Sequence, residues 1–417
     1  MDTDPAGARP RSSPPRIVLG VAGGIAAYKA CEVLRGLTES GADVTVVPTA
    51  AALKFVGAAT WSALSGRPVA TDVWQDAHRV PHVRLGQLAD CIVVAPATAD
   101  LIARATHGIA DDLLTNILLT ARCPVLLAPA MHTEMWEHPA TRRNVETLRE
   151  RGILVLEPAS GRLTGADSGP GRLPEPAEIV AAVQSVLRRG PAAARDLTGL
   201  SVVISAGGTQ EPWDPVRFIG NRSSGRQGVE LARTAIARGA RVTFVAAHMD
   251  VEPPAGARVV RVQTAEELRG AMAVESEGAD VIVMAAAVAD FRPAEAGEHK
   301  VKRGEIGPEV TLPLVQNADI LAELVATRGG AERPLIVGFA AETGDHGRDV
   351  LTLAREKLDR KGCDLLVVND VSAGQVFGRP DNEVTILVRS GAQTDVARAD
   401  KATVADSVWD AVVAALS

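Results

Sequence analysis

Short apolar runs alternate with amphipathic stretches through the first half of the chain. The apolar runs have the length of buried strands and occur in this order: Arg16–Val21, Val44–Val47, Cys91–Ala95, Pro124–Ala128 and Ile153–Leu156. Between them, apolar residues recur at the helical i, i+3, i+4 spacing in three segments: Ala26–Glu39, Ala110–Thr120 and Asn144–Arg151. Strands that are apolar on both faces and alternate with helices predict a parallel, doubly wound α/β sheet.

The same alternation starts again after residue 198. Its predicted strands are Ser201–Ser205, Arg241–Ala246, Asp280–Met284, Pro334–Val337 and Asp364–Val368. The intervening Arg188–Gly199 is rich in Gly, Pro and Ala and has no apolar period, which is typical of a linker. A length of 417 residues also favours two domains. We therefore predict a disordered tail at 1–15, a first domain at 16–187, a linker at 188–198 and a second domain at 199–417.

Composition and charge exclude several classes of protein. The apolar run Val281–Ala289 has nine residues, whereas a membrane span needs about 20. The net charge of −7 argues against a protein that binds nucleic acid by neutralising phosphates. The four cysteines lie far apart without a CxxC pair, so neither a zinc cluster nor a disulfide scaffold is expected. With no secretory signal in the first residues, we expect a cytoplasmic protein with neither a membrane nor a nucleic-acid partner.

Residues that could carry chemistry follow the predicted strands of the first half. Gly23 and Gly24 follow the first strand, where glycine lets a phosphate or a ring approach backbone N–H groups. A tight turn without a ligand explains this pair equally well, and the dinucleotide fingerprint GxGxxG is missing. His78 and His82 suit general base catalysis because histidine titrates near neutral pH, although a single histidine is more often structural.

Longer motifs resemble a known enzyme family. The segments GGIAAYKA, PHVRLGQLADCIVVAPATADLIARATHGIADDLL, PAMHTEMW and GADSGPGRLPEP are similar to the flavin-dependent phosphopantothenoylcysteine decarboxylases, which are flavodoxin-like HFCD flavoproteins. The second half resembles the Rossmann-like phosphopantothenate–cysteine ligases in SAGGTQEPWDPVRFIGNRSSGRQG, AAAVADFRP, HKVKR, GFAAET and NDV. These motifs occur in the family's order over roughly 16–410, so the chain resembles the bifunctional enzymes of coenzyme A biosynthesis.

For the first half, the resemblance implies FMN and a decarboxylation that proceeds through oxidation of the substrate thiol to a thioaldehyde. It assigns these residues to the FMN site: Gly23, Gly24, Thr49, Ala97 and Thr98. It makes His82, rather than His78, the essential histidine. It also implies a mobile substrate flap that includes Gly165, Asp167, Ser168 and Arg172.

Two positions of the first half depart from the family pattern. His132 stands where many relatives have an asparagine, and Gly165 stands where many have a cysteine. In relatives with the flap cysteine, its thiol is the expected proton donor in the last step. Here the candidates are Asp167, Ser168, His132 and an ordered water, and we prefer His132 because a histidine can carry a proton near neutral pH.

For the second half, the resemblance implies CTP with Mg²⁺ and an acyl-cytidylate intermediate, which Asn221 handles. Nucleotide phosphates need cations, and Lys300, Lys357 and Lys361 can supply them, although a solvated basic helix face explains the last two residues without the motifs. The full predicted CTP site is Ala285, Ala286, Asp290, Lys300, Ala318, Asp319, Ile320, Leu321, Phe339, Lys357 and Lys361. No protein ligand of Mg²⁺ is assigned, because such ions often rest on phosphates and water.

Taken together, the resemblance implies that 4′-phosphopantothenate, cysteine and CTP are converted to 4′-phosphopantetheine. It also implies a homo-oligomer, for which a dodecamer of decarboxylase trimers joined by ligase dimers is one arrangement. Two alternatives stay open at this point. In the first, only one half is active, and the altered flap makes the decarboxylase the half that is expected to be inactive. In the second, the chain is a non-catalytic FMN-binding regulatory subunit.

Overall fold

Two separate units make up the chain, and each is built on a parallel sheet. The computed structural model describes residues 13–69, 81–162, 168–190, 195–300, 311–342, 350–370 and 381–417. The units are Met1–Ala194 and Arg195–Ser417. The predicted tail at 1–15 lies almost wholly outside the described residues. Within the described residues, no helix has both the length and the apolar character that a membrane span requires.

The first unit has a five-stranded parallel sheet in the order β2-β1-β3-β4-β5. Its strands are β1 Arg16–Val21, β2 Asp43–Pro48, β3 Cys91–Ala97, β4 Val125–Pro129 and β5 Leu154–Val155. A separate antiparallel hairpin pairs β6 Ala159–Arg162 with β7 Ser168–Arg172. The order 2-1-3-4-5 is that of flavodoxin-like folds, in which ligands bind beyond the carboxyl ends of the strands.

Helices cover both faces of this sheet. They are α1 Ala30–Glu39, α2 Ala58–Ser65, α3 Pro81–Leu88, α4 Ala99–His107, α5 Leu113–Thr120, α6 Thr133–Glu137, α7 Pro139–Glu150 and α8 Pro176–Arg189, with short 3-10 helices at Ile25–Lys29 and Ala52–Lys54. Side chains of α1 and α8 bury one face, and those of α4, α5 and α7 bury the other. Because both faces are covered, the strands are apolar throughout, as their sequence pattern predicts.

The second unit has an eight-stranded sheet in the order β12-β11-β8-β13-β16-β17-β18-β19. Neighbouring strands are parallel from β12 to β17, whereas β18 and β19 run antiparallel. The strands of this sheet are β8 Ser201–Ala206, β11 Arg241–Ala246, β12 Arg258–Arg261, β13 Val281–Met284, β16 Leu335–Glu342, β17 Leu365–Asp370, β18 Asp381–Val388 and β19 Gln393–Asp400.

Among the described residues, two short antiparallel strand pairs and five helices surround the second sheet. One pairs β9 Gln210–Pro212 with β10 Phe218–Gly220, and the other pairs β14 Phe291–Pro293 with β15 Leu314–Gln316. The helices are α9 Arg226–Ala237, α10 Ala265–Glu275, α11 Ile320–Arg328, α12 Val350–Lys361 and α13 Lys401–Leu416. Helices α9 and α13 bury one face of the sheet, and α10, α11 and α12 bury the other.

Three aspartates fix the amino-terminal edges of the sheets in the same way. Each precedes one strand and accepts a hydrogen bond from a backbone N–H at the start of the neighbouring strand: Asp90 from Arg16 at 2.8 Å, Asp280 from Ser201 at 2.9 Å and Asp364 from Ile336 at 2.7 Å. The Ser201 N–H and the Arg333 guanidinium hold the pKa of the Asp280 carboxyl below its usual value. The recurrence explains why both halves repeat an aspartate just before an apolar run.

The doubly wound α/β prediction is confirmed, and the differences from it are local. The predicted helix Ala110–Thr120 begins only at Leu113, because Asp112 forms a capping box with Thr115. The predicted helix Ala26–Glu39 starts as a 3-10 turn before α1.

The predicted linker is shorter than its composition indicated. Arg188 and Arg189 end helix α8, and Leu197 is fully buried in the core of the second unit. The strands β12, β18 and β19 and the short antiparallel pairs were not predicted. The exact domain bounds stay a prediction.

Candidate functional sites

In the first unit, backbone hydrogen bonds join the loops that follow the strands. The N–H of Ala22 donates to the carbonyl oxygen of Pro96 at 3.1 Å, and the N–H of Thr49 donates to that of Val21 at 2.9 Å. These bonds hold the ends of β1, β2 and β3 together. The predicted FMN residues lie on these three ends, so the structure brings Gly23, Gly24, Thr49, Ala97 and Thr98 to one edge of the sheet.

Gly23 lies where no larger residue fits. A Cβ at this position would stand 2.3 Å from the Cβ of Ala51, in the loop after β2. Gly24 is extended, precedes a 3-10 helix without a side-chain cap, and faces the Thr98 methyl group. Backbone N–H groups at such a helix start are suited to bind an anionic or ring ligand.

The threonine hydroxyls of this edge also stabilise its loops. The Thr98 hydroxyl accepts the Leu101 N–H at 3.3 Å as the N-cap of α4, and the Thr49 hydroxyl accepts the Ala52 N–H at 3.2 Å. The cap explains Thr98 without a ligand. Each hydroxyl keeps its own proton, because it serves as an acceptor here, and it can therefore still donate to a bound group.

The hairpin β6–β7 lies against the loop that follows β4. The N–H of Met131 donates to the carbonyl oxygen of Gly171 at 2.9 Å. This contact places His132, which is exposed at the start of α6, beside the described part of the flap that includes Ser168 and Arg172. Gly165, Asp167 and His78 lie outside the described residues. His82 is in the first turn of α3, but its side chain is outside the described residues as well.

An ion-pair cluster that was missed in the sequence connects the flap to the glycine loop. Glu175 accepts hydrogen bonds from Arg172 of β7 and from Lys29 of the 3-10 helix, each at 3.1 Å. The partners are separated by 146 positions in one case, so only the fold brings them together. In the sequence, Glu175 was marked only by its place in RLPEP, at the end of a motif that resembles the family.

Cys91 and Cys123 do not replace the absent flap cysteine. Cys91 begins β3 and Cys123 precedes β4, so both lie at the amino-terminal edge, opposite the loops of the candidate site. Burial raises the pKa of Cys91 strongly and that of Cys123 to about 11. Cys31, near the start of α1, is half-buried, and burial raises its pKa too.

In the second unit, the ends of β8, β11 and β13 are joined in the same manner. Gly208 and His248 exchange backbone hydrogen bonds of 2.9 and 3.1 Å, and the N–H of Ala287 donates to the carbonyl oxygen of Gly207 at 2.8 Å. Two side chains reinforce the third loop: the Ser205 hydroxyl accepts the Ala286 N–H, and the Thr209 hydroxyl accepts the Ala289 N–H. The loop Ala285–Asp290, which holds three of the predicted CTP residues, is therefore firmly fixed.

Two asparagines attach their own segments to this loop. The side-chain amide of Asn221 donates to the carbonyl oxygen of Val288 at 2.8 Å. The side-chain amide of Asn317 donates to the carbonyl oxygen of Ala289 at 2.8 Å, and the backbone N–H of Asn317 donates to the carbonyl oxygen of Asp290 at 2.9 Å. Asn221, Asp290 and the residues that follow Asn317 are thus assembled in one place. Asn317 was missed as a positioning residue, although it stands directly before the predicted Ala318–Leu321.

The start of α11 gathers most of the other predicted CTP residues. Asp319 caps this helix through the Ala322 N–H at 3.2 Å, and its other carboxylate oxygen forms a close ion pair with Lys361. Leu321 packs against Gly338, the neighbour of the partly buried Phe339. Lys357 lies one turn before Lys361 on α12. Lys361 is therefore a partner of Asp319, which the sequence did not indicate.

Among the described residues, Lys300 makes no contact with the other predicted CTP residues. It is exposed, and it follows a segment that is held to the hairpin region by the Gly297 N–H, which donates to Trp213 at 2.9 Å. Metal ligands are similarly unassigned. In the part of the chain that the structure describes, no group of three or more His, Cys, Asp or Glu side chains is placed to hold an ion.

The N-terminus of α9 is a further feature of this edge. Gly225 has a φ of +73°, and a Cβ at this position would lie 2.6 Å from the Met249 side chain, so only glycine fits here. No side chain caps the helix. Because Asn221 stands just before this turn, the open helix end belongs to the same edge as the predicted CTP loop.

Comparisons with known proteins cover both units. Residues 8–188 match the family model described as Flavoprotein, and residues 197–416 match the one described as DNA/pantothenate metabolism flavoprotein C-terminal domain. The chain is 57% identical to the Coenzyme A biosynthesis bifunctional protein CoaBC of Mycobacterium tuberculosis over 408 residues, which covers 97% of each chain. It is 42% identical to the protein of that name from Vibrio cholerae, with 90% of this chain and 92% of the other covered.

A solved structure is also similar to the second unit. It is the crystal structure of the C-terminal domain of a Coenzyme A biosynthesis bifunctional protein CoaBC, with 30% identity and a TM-score of 0.44. The match covers 53% of this chain and 98% of that one.

Replacing Gly23 by alanine should weaken flavin binding. The added methyl group must displace the loop at Ala51, and a strain of about 1–3 kcal/mol corresponds to a roughly five- to 150-fold loss of affinity. The measurement is titration of the flavin-free full chain with FMN, followed by flavin fluorescence. Gly57→Ala is the matched control, because a Cβ there has nothing within 4 Å. Equal affinities of Gly23→Ala and the wild type would exclude Gly23 from the site.

Proposed function

The chain belongs to the family of coenzyme A biosynthesis bifunctional proteins, and from this premise we propose that it converts 4′-phosphopantothenate to 4′-phosphopantetheine in two steps. It is a decarboxylase and a ligase in one polypeptide. The observation that carries the proposal is that both family domains occur in one chain whose full-length relatives match it almost end to end. A role as a non-catalytic regulatory subunit is therefore set aside.

The ligase step joins cysteine to the carboxylate of 4′-phosphopantothenate at the expense of CTP. A carboxylate must be activated before an amine can attack it, and transfer of a cytidylyl group with loss of pyrophosphate accomplishes this. Asn317 joins the loop Ala285–Asp290 to the start of α11, and Leu321 of α11 packs against Gly338, which precedes Phe339; these segments are proposed to form the nucleotide site. Asn221 is fixed beside this loop, where its amide can orient the acyl-cytidylate. Mg²⁺ would bind chiefly to the triphosphate.

Lys361 has a specific role in this proposal. Its ion pair with Asp319 keeps the ammonium group at the start of α11, where the helix dipole already favours an anion. Incoming phosphates would share that cation with Asp319. Lys357, one turn earlier, and Lys300, beyond β14, are proposed as further phosphate ligands.

The decarboxylase step takes place at the edge of the first sheet. The residues there fit FMN: Gly23 leaves space for a close approach, the 3-10 helix that follows begins without a side-chain cap, and two threonine hydroxyls retain protons. When bound, FMN would supply the oxidation that allows the cysteinyl carboxylate to be lost as CO₂, and the later reduction that gives the saturated thiol. His82 binds and orients that carboxylate, or acts as a base. Arg172 and Lys29, paired through Glu175, hold the flap to the glycine loop.

The predicted cytoplasmic location, the homo-oligomer and the dodecameric arrangement stay predictions that rest on the family resemblance.

Replacing His82 by asparagine should block the second step alone. Without the imidazole, we expect CO₂ release to fall by about a hundredfold or more, because general acid–base and orienting groups contribute on that scale. Pyrophosphate release should continue at the wild-type rate while 4′-phosphopantothenoylcysteine accumulates. The measurement quantifies CO₂ and pyrophosphate in one incubation with cysteine labelled at its carboxyl carbon. His107→Asn, at the exposed end of α4, is the control. Unchanged CO₂ release would make His82 structural and return attention to His78 and His132.

Replacing His132 by asparagine tests the proton donor. The contact between Met131 and Gly171 places His132 beside the flap, which supports its assignment as the donor to the enethiolate carbon. We expect the variant to release CO₂ while the flavin stays reduced and the unsaturated thiol accumulates, as seen by absorbance and mass spectrometry. Rapid flavin reoxidation with saturated 4′-phosphopantetheine would contradict this role. His132 would then only fill the space of the family's asparagine and bond to the substrate amide.

A further inference from the structure

Arg292 makes a contact in the second unit to which the proposed reaction assigns no role. It lies in β14, directly after the loop Ala285–Asp290. One nitrogen of its guanidinium, Nη1, donates to the side-chain oxygen of Asn317 at 2.9 Å and to the carbonyl oxygen of Gln316 at 3.2 Å. Arg292 is therefore bonded to the residue that joins the predicted CTP loop to the start of α11.

The side-chain amide of Asn317 is held at both ends. Its oxygen accepts from Arg292, and its nitrogen donates to the carbonyl oxygen of Ala289 at 2.8 Å. A guanidinium can only donate and a backbone carbonyl oxygen can only accept, so these two partners permit one orientation of the amide. Without the guanidinium, the bond to Ala289 alone would fix the side chain. Arg292 thus determines the direction in which the Asn317 amide points.

The strand pair that carries Arg292 is small and needs such a connection. Strands β14 and β15 have three residues each and form a two-stranded sheet of their own. An isolated pair of strands is only marginally stable in water. Arg292 lies opposite Val315, which makes Asn317 its diagonal neighbour, within reach of a long side chain. The guanidinium therefore ties the two strands together at the end where the CTP loop enters and α11 begins.

This end of the strand pair sets the spacing of two parts of the predicted nucleotide site. On one side, Asn317 holds the carbonyl oxygens of Ala289 and Asp290. On the other side, it stands directly before Ala318–Leu321, where α11 begins at Ile320. A shift of Asn317 would move these two parts relative to one another. A nucleotide that contacts both would then lose part of its binding energy.

We propose that Arg292 is a positioning residue for CTP: by fixing the Asn317 amide, it holds the Asp290 loop and the start of α11 at the spacing that the nucleotide requires. This inference rests on the proposed function and deepens it at the ligase site. Arg292 acts through Asn317 and makes no contact of its own with the nucleotide. A direct contact between its guanidinium and the triphosphate is the alternative that the experiment must separate from this role.

The first experiment removes the guanidinium from the full chain. Arg292→Met keeps an unbranched side chain without a donor, whereas Arg292→Lys keeps one cationic donor. Loss of one hydrogen bond corresponds to about a three- to tenfold change in affinity. We expect the Kd for CTP, measured by calorimetry with Mg²⁺, to rise by that factor in Arg292→Met and by less in Arg292→Lys. Arg398→Met, on the exposed edge strand β19, is the control and should bind CTP as the wild type does.

A double-mutant cycle shows whether Arg292 acts through Asn317. Asn317→Ala removes both hydrogen bonds of the amide and should weaken CTP binding at least as much as Arg292→Met does. When the amide is absent, the guanidinium has nothing to orient. We therefore expect the variant that combines Arg292→Met with Asn317→Ala to have the same Kd for CTP as Asn317→Ala alone.

Turnover gives an internal control in the same chain. The KM for CTP in pyrophosphate release should rise with the Kd, whereas the KM for 4′-phosphopantothenate should stay within about twofold, because only nucleotide binding is affected. Release of CO₂ from added 4′-phosphopantothenoylcysteine should be unchanged, because the first unit carries out that step. Melting temperatures of all variants should stay close to that of the wild type.

Three results would overturn the assignment. An unchanged Kd for CTP in Arg292→Met removes Arg292 from any role at the site. Losses that add up in the double variant make Arg292 an independent ligand of the triphosphate. Equal rises in the KM for CTP and for 4′-phosphopantothenate, with a lower melting temperature, make it a structural support of the whole unit.

Failure of the proposed function would give a different result. A wild type that binds CTP but releases no pyrophosphate contradicts the ligase reaction, and the binding cycle still decides the role of Arg292. A wild type that binds no CTP contradicts the ligase reaction and this inference together.

Discussion

Backbone hydrogen bonds between strand-end loops are the constraint on which both candidate sites depend. A parallel sheet places the carboxyl ends of its strands at one edge, but it does not by itself fix the loops beyond them. Here Ala22 bonds to Pro96, and Gly208 to His248, so the loops form one rigid surface in each unit. Because the loops are joined through their backbones, small residues such as Gly23 and Ala286 can line a ligand without losing the shape of the site.

The sheets were predictable because their strands are apolar on both faces, and the ten predicted strands all occur. The helix starts were less predictable, since a cap such as Asp112 with Thr115 shifts the boundary by several residues. Strand β19 was missed because it is mostly exposed and has no apolar alternation. Among the site residues, Asn221 and the glycine loop were predictable from the family resemblance, because each lies within one contiguous sequence motif.

Contacts between distant segments could not be predicted from one sequence. Glu175 joins Lys29 to Arg172, Lys361 pairs with Asp319, and Arg292 reaches Asn317 only through the pairing of β14 with β15. Arg172 and Glu175 share the motif GADSGPGRLPEP, whereas the partners in the other pairs come from different parts of the sequence. In each case the chain must fold before a charge meets its partner, and the sequence alone gives no reason to prefer one surface lysine over another.

The central claim is that one chain performs both the ligation and the decarboxylation. The most direct measurement incubates the purified wild-type chain with FMN, Mg²⁺, CTP, 4′-phosphopantothenate and carboxyl-labelled cysteine, and quantifies pyrophosphate, CO₂ and the thiol product together. The account predicts equal amounts of all three, with saturated 4′-phosphopantetheine as the product. Pyrophosphate without CO₂, with the label retained in 4′-phosphopantothenoylcysteine, would contradict it.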